Sequence, residues 1–234
     1  SIDVVTRLLE FGRKGSASNA SRTTASLRVG EWTAFHSGKT KDERSRFVIE
    51  PEDLSPVRTG FESGSLPKWT RTIQQVVRVK RLREVRALIG FTRIEEAGDN
   101  CELVPASLDP SVNWLPAYEV YGEGIFITLN EDQLKEWEVK SEVVDRIQKL
   151  TSGAANLTRN PNVANISPRL YLLHTLSHLL VRQLAFEAGY PSASLRERLY
   201  LTEENSPTEM AGVLIYTAAS DSIGSMGGLA RQTN

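Results

Sequence analysis

Residues 171–200 read "YLLHTLSHLLVRQLAFEAGYPSASLRERLY". Most of this stretch has a helical pattern with clear ends. Ser167 suits an N-cap and Pro168 a first turn, while Gly189 can take the left-handed conformation that closes a helix and Pro191 prevents its continuation. At 100° per residue, Leu172, Leu173, Leu176, Leu179, Leu180 and Leu184 fall on one broad apolar face. On the other side, His174, His178 and Arg182 form a single stripe at i, i+4 and i+8, bordered by Val181 and Ala185. Apolar residues on both sides of the stripe predict a long buried helix covered on both faces.

Working outward, the order of elements is mixed α and β. "SIDVVTRLLEFGRK" has helical spacing before it dissolves into the small polar run "GSASNASRTTAS", a candidate boundary at residues 15–26. "LRVGEWTAFHSG" predicts a short helix closed by Gly38, and "RFVIEPEDL" a strand stopped by Pro51. The Pro- and Gly-rich residues 51–70 read as irregular. "TIQQVVRV" enters a strand, and "AYEVYGEGIFITL" reads as two short strands around Gly122 and Gly124. Asn130 then caps a helix, with Glu131 and Asp132 at the positive end of its dipole and Gln133 at the capping-box position. The expected class is α/β in the sense of mixed α+β, with short strands and the long helix toward the C-terminal part.

The 234 residues are 40% hydrophobic and 24% charged, enough to bury a core. No run approaches the roughly 18 apolar residues of a membrane span, and no leader pattern opens the chain, so a cytoplasmic protein is expected. The single Cys101 rules out an internal disulfide framework or a multi-cysteine zinc site among these residues and fits a reducing compartment. Charge is unevenly spread: residues 1–100 hold 18 Lys/Arg against 13 Asp/Glu, and residues 101–234 hold 10 against 16. The densest cationic stretch, "RVKRLREVRALIGFTR" at 78–93, carries Arg78, Lys80, Arg81, Arg83, Arg86 and Arg93 against Glu84 alone. It can be a solvated edge with intrachain salt bridges, a contact for nucleic-acid phosphates, or a match for an acidic protein surface.

Three readings of the histidine stripe stay open. Two histidines at i and i+4 have the reach of metal ligands, but HTLSH lacks the glutamate of HExxH, and Glu187 points about 180° away from His178. A third ligand would come from elsewhere, such as Asp221 or His36, so a metal is not expected in this chain. The second reading is acid/base chemistry, with His174 or His178 oriented by Asp221. The third is a polar seam or anion contact, since Arg182 beside two protonatable rings favours negative charge.

"MAGVLIYTAASDSIGSMGGLARQ", residues 210–232, runs a strand through Val213 to Tyr216 into Asp221, Gly224, Gly227 and Gly228. Such a loop can cradle phosphate on backbone amides, yet it lacks both the Lys-Ser/Thr of a P-loop and a GxGxxG fingerprint. With the stripe, these residues form a candidate inner polar site.

Four ordered segments, "RLREVRALIGFTRI", "WLPAYEVYGEGIFITL" with "EWE" following, "LHTLSHLLVRQLAFEAGYPSASLRERLY" and "AGVLIYTAASDSIGSMGGL", resemble the DrmB family, the helicase-partner subunit of DISARM bacterial antiphage systems. The resemblance covers roughly residues 71–138 and 168–232. It implies a helicase-associated domain over 71–234, preceded by a helical and irregular segment over 1–70 of a larger subunit. It also implies that the subunit continues past the glycine turn into a cysteine-rich segment where zinc can be held. The expected function is a non-catalytic DNA-binding accessory subunit, beside a helicase partner that supplies the ATPase. Arg78, Lys80, Arg81, Arg83 and Arg86 are its candidate phosphate contacts, and no small-molecule substrate is evident. The rivals are a nuclease-like hydrolase using the stripe and a pure assembly subunit.

Overall fold

The computed structural model describes residues 27–40, 42–65, 67–91, 104–106, 114–157, 167–202 and 208–217. Helix α1 covers residues 27–35 and is followed by strand β1 (Val48–Pro51), helix α2 (Ser55–Glu62) and strand β2 (Ile73–Ala87). The short strands β3 (Gly90–Phe91) and β4 (Val104–Pro105) pair with each other. Strand β5 (Ala117–Leu129), helices α3 (Glu131–Glu138), α4 (Ser141–Leu157) and α5 (Pro168–Ala188), and strands β6 (Leu195–Leu201) and β7 (Ala211–Thr217) complete the described elements. The main sheet has the order β1-β2-β5-β7-β6 and every pairing in it is antiparallel. The mixed α+β class therefore holds.

Two apolar clusters, one on each face, cover the sheet. Phe35 of α1 joins Ile49, Val77, Val79, Phe126, Tyr200 and Leu214 on the first face, with Trp32 packed alongside. On the second face, Leu184 of α5 joins Ile125, Leu195, Val213 and Ile215, with Leu176, Leu180 and Val181 beside it. The alternation of side chains along a strand sends neighbours such as Leu214 and Ile215 to opposite clusters. Residues on both sides of position 70 share the first cluster.

The segment 117–129 is one strand of 13 residues, where two short ones were expected. Gly124 provides close approach and not a turn. A Cβ on Gly124 would lie 2.6 Å from the Ile215 carbonyl oxygen and 2.9 Å from the Tyr216 Cβ, so only glycine admits β7 at this distance. β2 is also long, 15 residues, and carries a bulge: Val79 pairs with Gly124 but Leu82 with Gly122, leaving one extra residue on β2. Residues 51–70, expected to be irregular, contain α2. Position 56 puts Pro in the first helical turn, where it costs no hydrogen bond.

The predicted helix ends are found where expected. The Asn130 side chain accepts from the Gln133 amide, the Ser167 hydroxyl accepts from the Leu170 amide at 3.1 Å, and Gly189 closes α5 with φ of 70°. The expectation that α5 is covered on both faces is corrected. Leu173, Ser177 and Leu184 are buried, whereas Leu179 and Phe186 are exposed. The helix packs on one face of a single sheet, and nothing among the described residues overlies its outer side. The N-terminal segment and the linker at 15–26 lie outside the described residues.

Arg169 ties the start of α5 to three other elements. Its guanidinium donates to Glu131 at 2.6 Å and Glu138 at 2.9 Å on α3, and to the Thr202 hydroxyl at 3.1 Å beside the Met210 carbonyl. Two predictions follow from this packing. Gly124→Ala should force β5 and β7 apart and cost about 1–3 kcal/mol or more, read as a lowered midpoint in chemical denaturation. Arg169→Met should strand two half-buried carboxylates and also lower the midpoint, with Arg169→Lys recovering only part of the loss because an ammonium cannot serve both acids as the planar fork does.

Candidate functional site

The stripe of α5 meets strand β6. Along "LRERLYL", Leu195, Glu197 and Leu199 alternate toward α5, so Glu197 arrives beneath the two histidines. The His174 and His178 Nε2 atoms are 3.0 Å apart, close enough for one ring to donate to the other, with ring centroids at 4.4 Å and planes at 87°. Glu197 Oε1 lies 3.4 Å from His174 Nε2 and 3.8 Å from His178 Nε2. The hydroxyl of Ser177, which is fully buried, donates to Glu197 Oε2 and so turns Oε1 toward the rings. Among the described residues, His174, His178 and Glu197 are the group with metal-ligand geometry. The imidazoles are more than half exposed, at 54% and 63% of their side-chain surface, so one side of the cluster is open to solvent.

Sequence reasoning found the two histidines and missed the carboxylate. Its signal was an acid at an inward position of an alternating strand, where Leu195 and Leu199 set the face. Arg182 stands on the same stripe, exposed and without an ion pair among the described residues. The remaining members of the inner polar site, Asp221, Gly224, Gly227 and Gly228, lie outside the described residues, as does Arg93.

Each cation of the β2 cluster is held by a group of this chain. Arg78 pairs with Glu52 at 2.7 Å and Lys80 with Glu50 at 2.6 Å, both acids coming from β1 and its end. Arg81 donates to the carbonyls of Glu43 and Ser45 at 2.9 and 3.0 Å. Arg83 pairs with Glu119 of β5, and Arg86 pairs with Glu84 while lying 5.9 Å from the centre of the Tyr118 ring. Glu50, Glu52 and Glu119 are remote in sequence and reach their cations across the sheet, whereas Glu84 lies on β2 itself, two residues before Arg86.

A cleft of about 880 Å³ on the α1 face went unnoticed in the sequence. It is walled by Phe35, Phe47 and Leu82 and holds two polar knots. Arg198 grips Glu31 through two bonds of 2.6 and 2.9 Å, and the Tyr200 hydroxyl donates to Glu31 at 2.9 Å. Tyr216 donates to Glu84 at 2.9 Å. Burial, then the Glu31 and Glu84 charges, push both phenols above their ordinary range, so they stay protonated donors.

No family model matches the chain. A curated relative, the DISARM protein DrmB of Bacillus paralicheniformis, is 37% identical over 221 residues, which cover 86% of this chain and 38% of the relative. The chain belongs to the DrmB family. It spans well under half the length of that DrmB protein, at 38%. Thus the resemblance stated from four segments extends over most of the chain, and the histidine cluster, the paired cations and the cleft are features of this part of a DrmB-family protein. No helix among the described residues is long and apolar enough to cross a membrane.

Glu50 gives this region a distinct acid response. Hydrogen bonds from Lys39 and then Lys80 outweigh burial and lower its carboxyl from an ordinary 4.5 to about 2. A depressed folded value means the pair stabilises the fold above the unfolded value, and that this contribution is lost as pH falls from about 4.5 toward 2. Glu50→Gln should therefore show a shallower fall in melting temperature across that window than the unmodified protein, measured by circular dichroism.

Proposed function

We propose that this chain is part of an accessory subunit of a DISARM antiphage defence complex, one that docks on a helicase partner, contacts DNA and has no catalytic centre of its own. The observation that carries the docking role is the far end of the β2–β5 ladder. Beyond the bulge the two strands run on together as an arm, and Val85, Leu88, Ile89, Phe91, Trp114 and Tyr118 near its tip are all exposed. Apolar and aromatic residues gathered on a projecting arm are the composition of a protein–protein contact. Kinship with a DISARM protein supports the setting, and the helicase partner is what the family resemblance implies.

The DNA half of the proposal rests on Arg83 and Arg86 within the arm and Arg78, Lys80 and Arg81 at its root. All five already have a carboxylate or carbonyl partner, so a backbone phosphate would take over contacts that the chain makes with itself. Docking is accordingly the better supported half. Asp221, the orienter named for the hydrolase alternative, lies outside the described residues, and among those described Glu197 stands against both rings.

The test uses the full-length subunit. Replacing Val85, Leu88 and Phe91 together by Ser should abolish capture of the helicase partner while leaving the melting temperature unchanged. Full capture by the folded variant overturns the docking role. So does a lowered melting temperature with capture intact, because the rest of the subunit would then cover the arm. For DNA, replacing Arg78, Arg81 and Arg83 by Ser should weaken binding irrespective of base sequence and flatten its salt dependence. An unchanged salt slope removes that half of the proposal.

A further inference from the structure

We propose that His174, His178 and Glu197 bind a divalent transition-metal ion, zinc by ligand type, at the seam between α5 and β6. This goes beyond the docking role and does not depend on it. The geometry of the three atoms is the argument. A tetrahedral ion with bonds of about 2.05 Å has ligand–ligand edges of about 3.3 Å. The cluster has edges of 3.0, 3.4 and 3.8 Å, formed by His174 Nε2, His178 Nε2 and Glu197 Oε1. Three ligand atoms thus already stand close to three corners of one coordination shell, and an ion enters with sub-ångström adjustment of the side chains.

The surroundings favour the same reading. Ser177 holds the non-ligating oxygen of Glu197, as groups behind metal-binding carboxylates commonly do, and the hydroxyl is fully buried on the core side. Two of the three ligands sit on one rigid helix a turn apart, and the third on a strand whose register is fixed by β7 through the pairing of Glu197 with Ile215. Two imidazoles and one carboxylate suit zinc or iron(II) better than calcium or magnesium, which prefer an all-oxygen shell. The outer corner faces solvent and is left for water or an oxygen-bearing ligand, the arrangement of open zinc sites. Without an ion, the rings touch through a single N–H···N contact in an exposed position, which does little to explain why an acid and two histidines converge.

The experiment is zinc titration of the full-length subunit, with metal content after gel filtration measured by mass spectrometry and cobalt(II) absorption used as a second probe. We expect the unmodified protein to hold one zinc equivalent more than His174→Gln or His178→Gln. Glu197→Gln and Ser177→Ala should each weaken affinity by about tenfold or more, and His36→Gln should change nothing. Zinc should raise the melting temperature of the unmodified protein and not that of the Glu197 variant, which retains the side-chain shape and guards against misreading a folding defect. Equal zinc content and equal cobalt spectra across the unmodified protein and all ligand variants would overturn the proposal. A zinc-independent melting temperature of the unmodified protein would do so as well.

Discussion

All seven residues of β7 are buried, and that constraint organises the molecule. A strand with water on neither side must be flanked by strands at both edges and capped on both faces, since every exposed apolar side chain there would forfeit its burial energy. β5 and β6 supply the flanks, α1 and α5 the caps. The glycine at 124 lets β5 close to van der Waals distance, and the sheet then fixes where α5 lies. The convergence of two histidines with Glu197 follows from this packing: the acid is on the strand beside β7, and the rings are on the helix that seals it.

How much of this was legible in the sequence varied with the range of the interaction. The ends of α3 and α5 were readable because capping is local: Asn130, Ser167 and Gly189 act on backbone groups within a turn. The strand character of 213–216 was readable for the same reason, being carried by a run of branched and aromatic residues. What failed was long-range. Gly124 looks like a turn residue until β7 is placed against it, and Leu179 looks like core until the outer side of the helix is seen to lie exposed. The family resemblance covered ground that neither pattern nor propensity reached.

Electrostatics shows the same division. Counted along the chain, the stretch from 78 to 93 has one acid among six cations. Counted across the sheet, Glu50 and Glu52 arrive from β1 and Glu119 from β5, and the excess is largely answered. Composition reported the charges correctly but not their neighbours, because antiparallel pairing brings together residues dozens of positions apart. Glu197 escaped notice by the same mechanism. It stands 19 positions beyond His178 in the chain yet within 4 Å of its ring.

The bulge in β2 has a consequence for how the arm tolerates change in length. Before it, odd-numbered Val77 and Val79 look toward α1; after it, even-numbered Leu82 does, and Glu84 meets Tyr216 on that side. The strand is therefore two passages in opposite phase, joined by a single surplus residue. Deleting one position between Val79 and Leu82 would remove the bulge and restore unbroken alternation, with Leu82 still opposite Gly122 and Glu84, Val85, Arg83 and Arg86 all on their present faces. The arm can thus shorten by one residue at the bulge and keep its chemistry, whereas the loss of one residue beyond Leu82 would turn every later side chain of the strand to the other face.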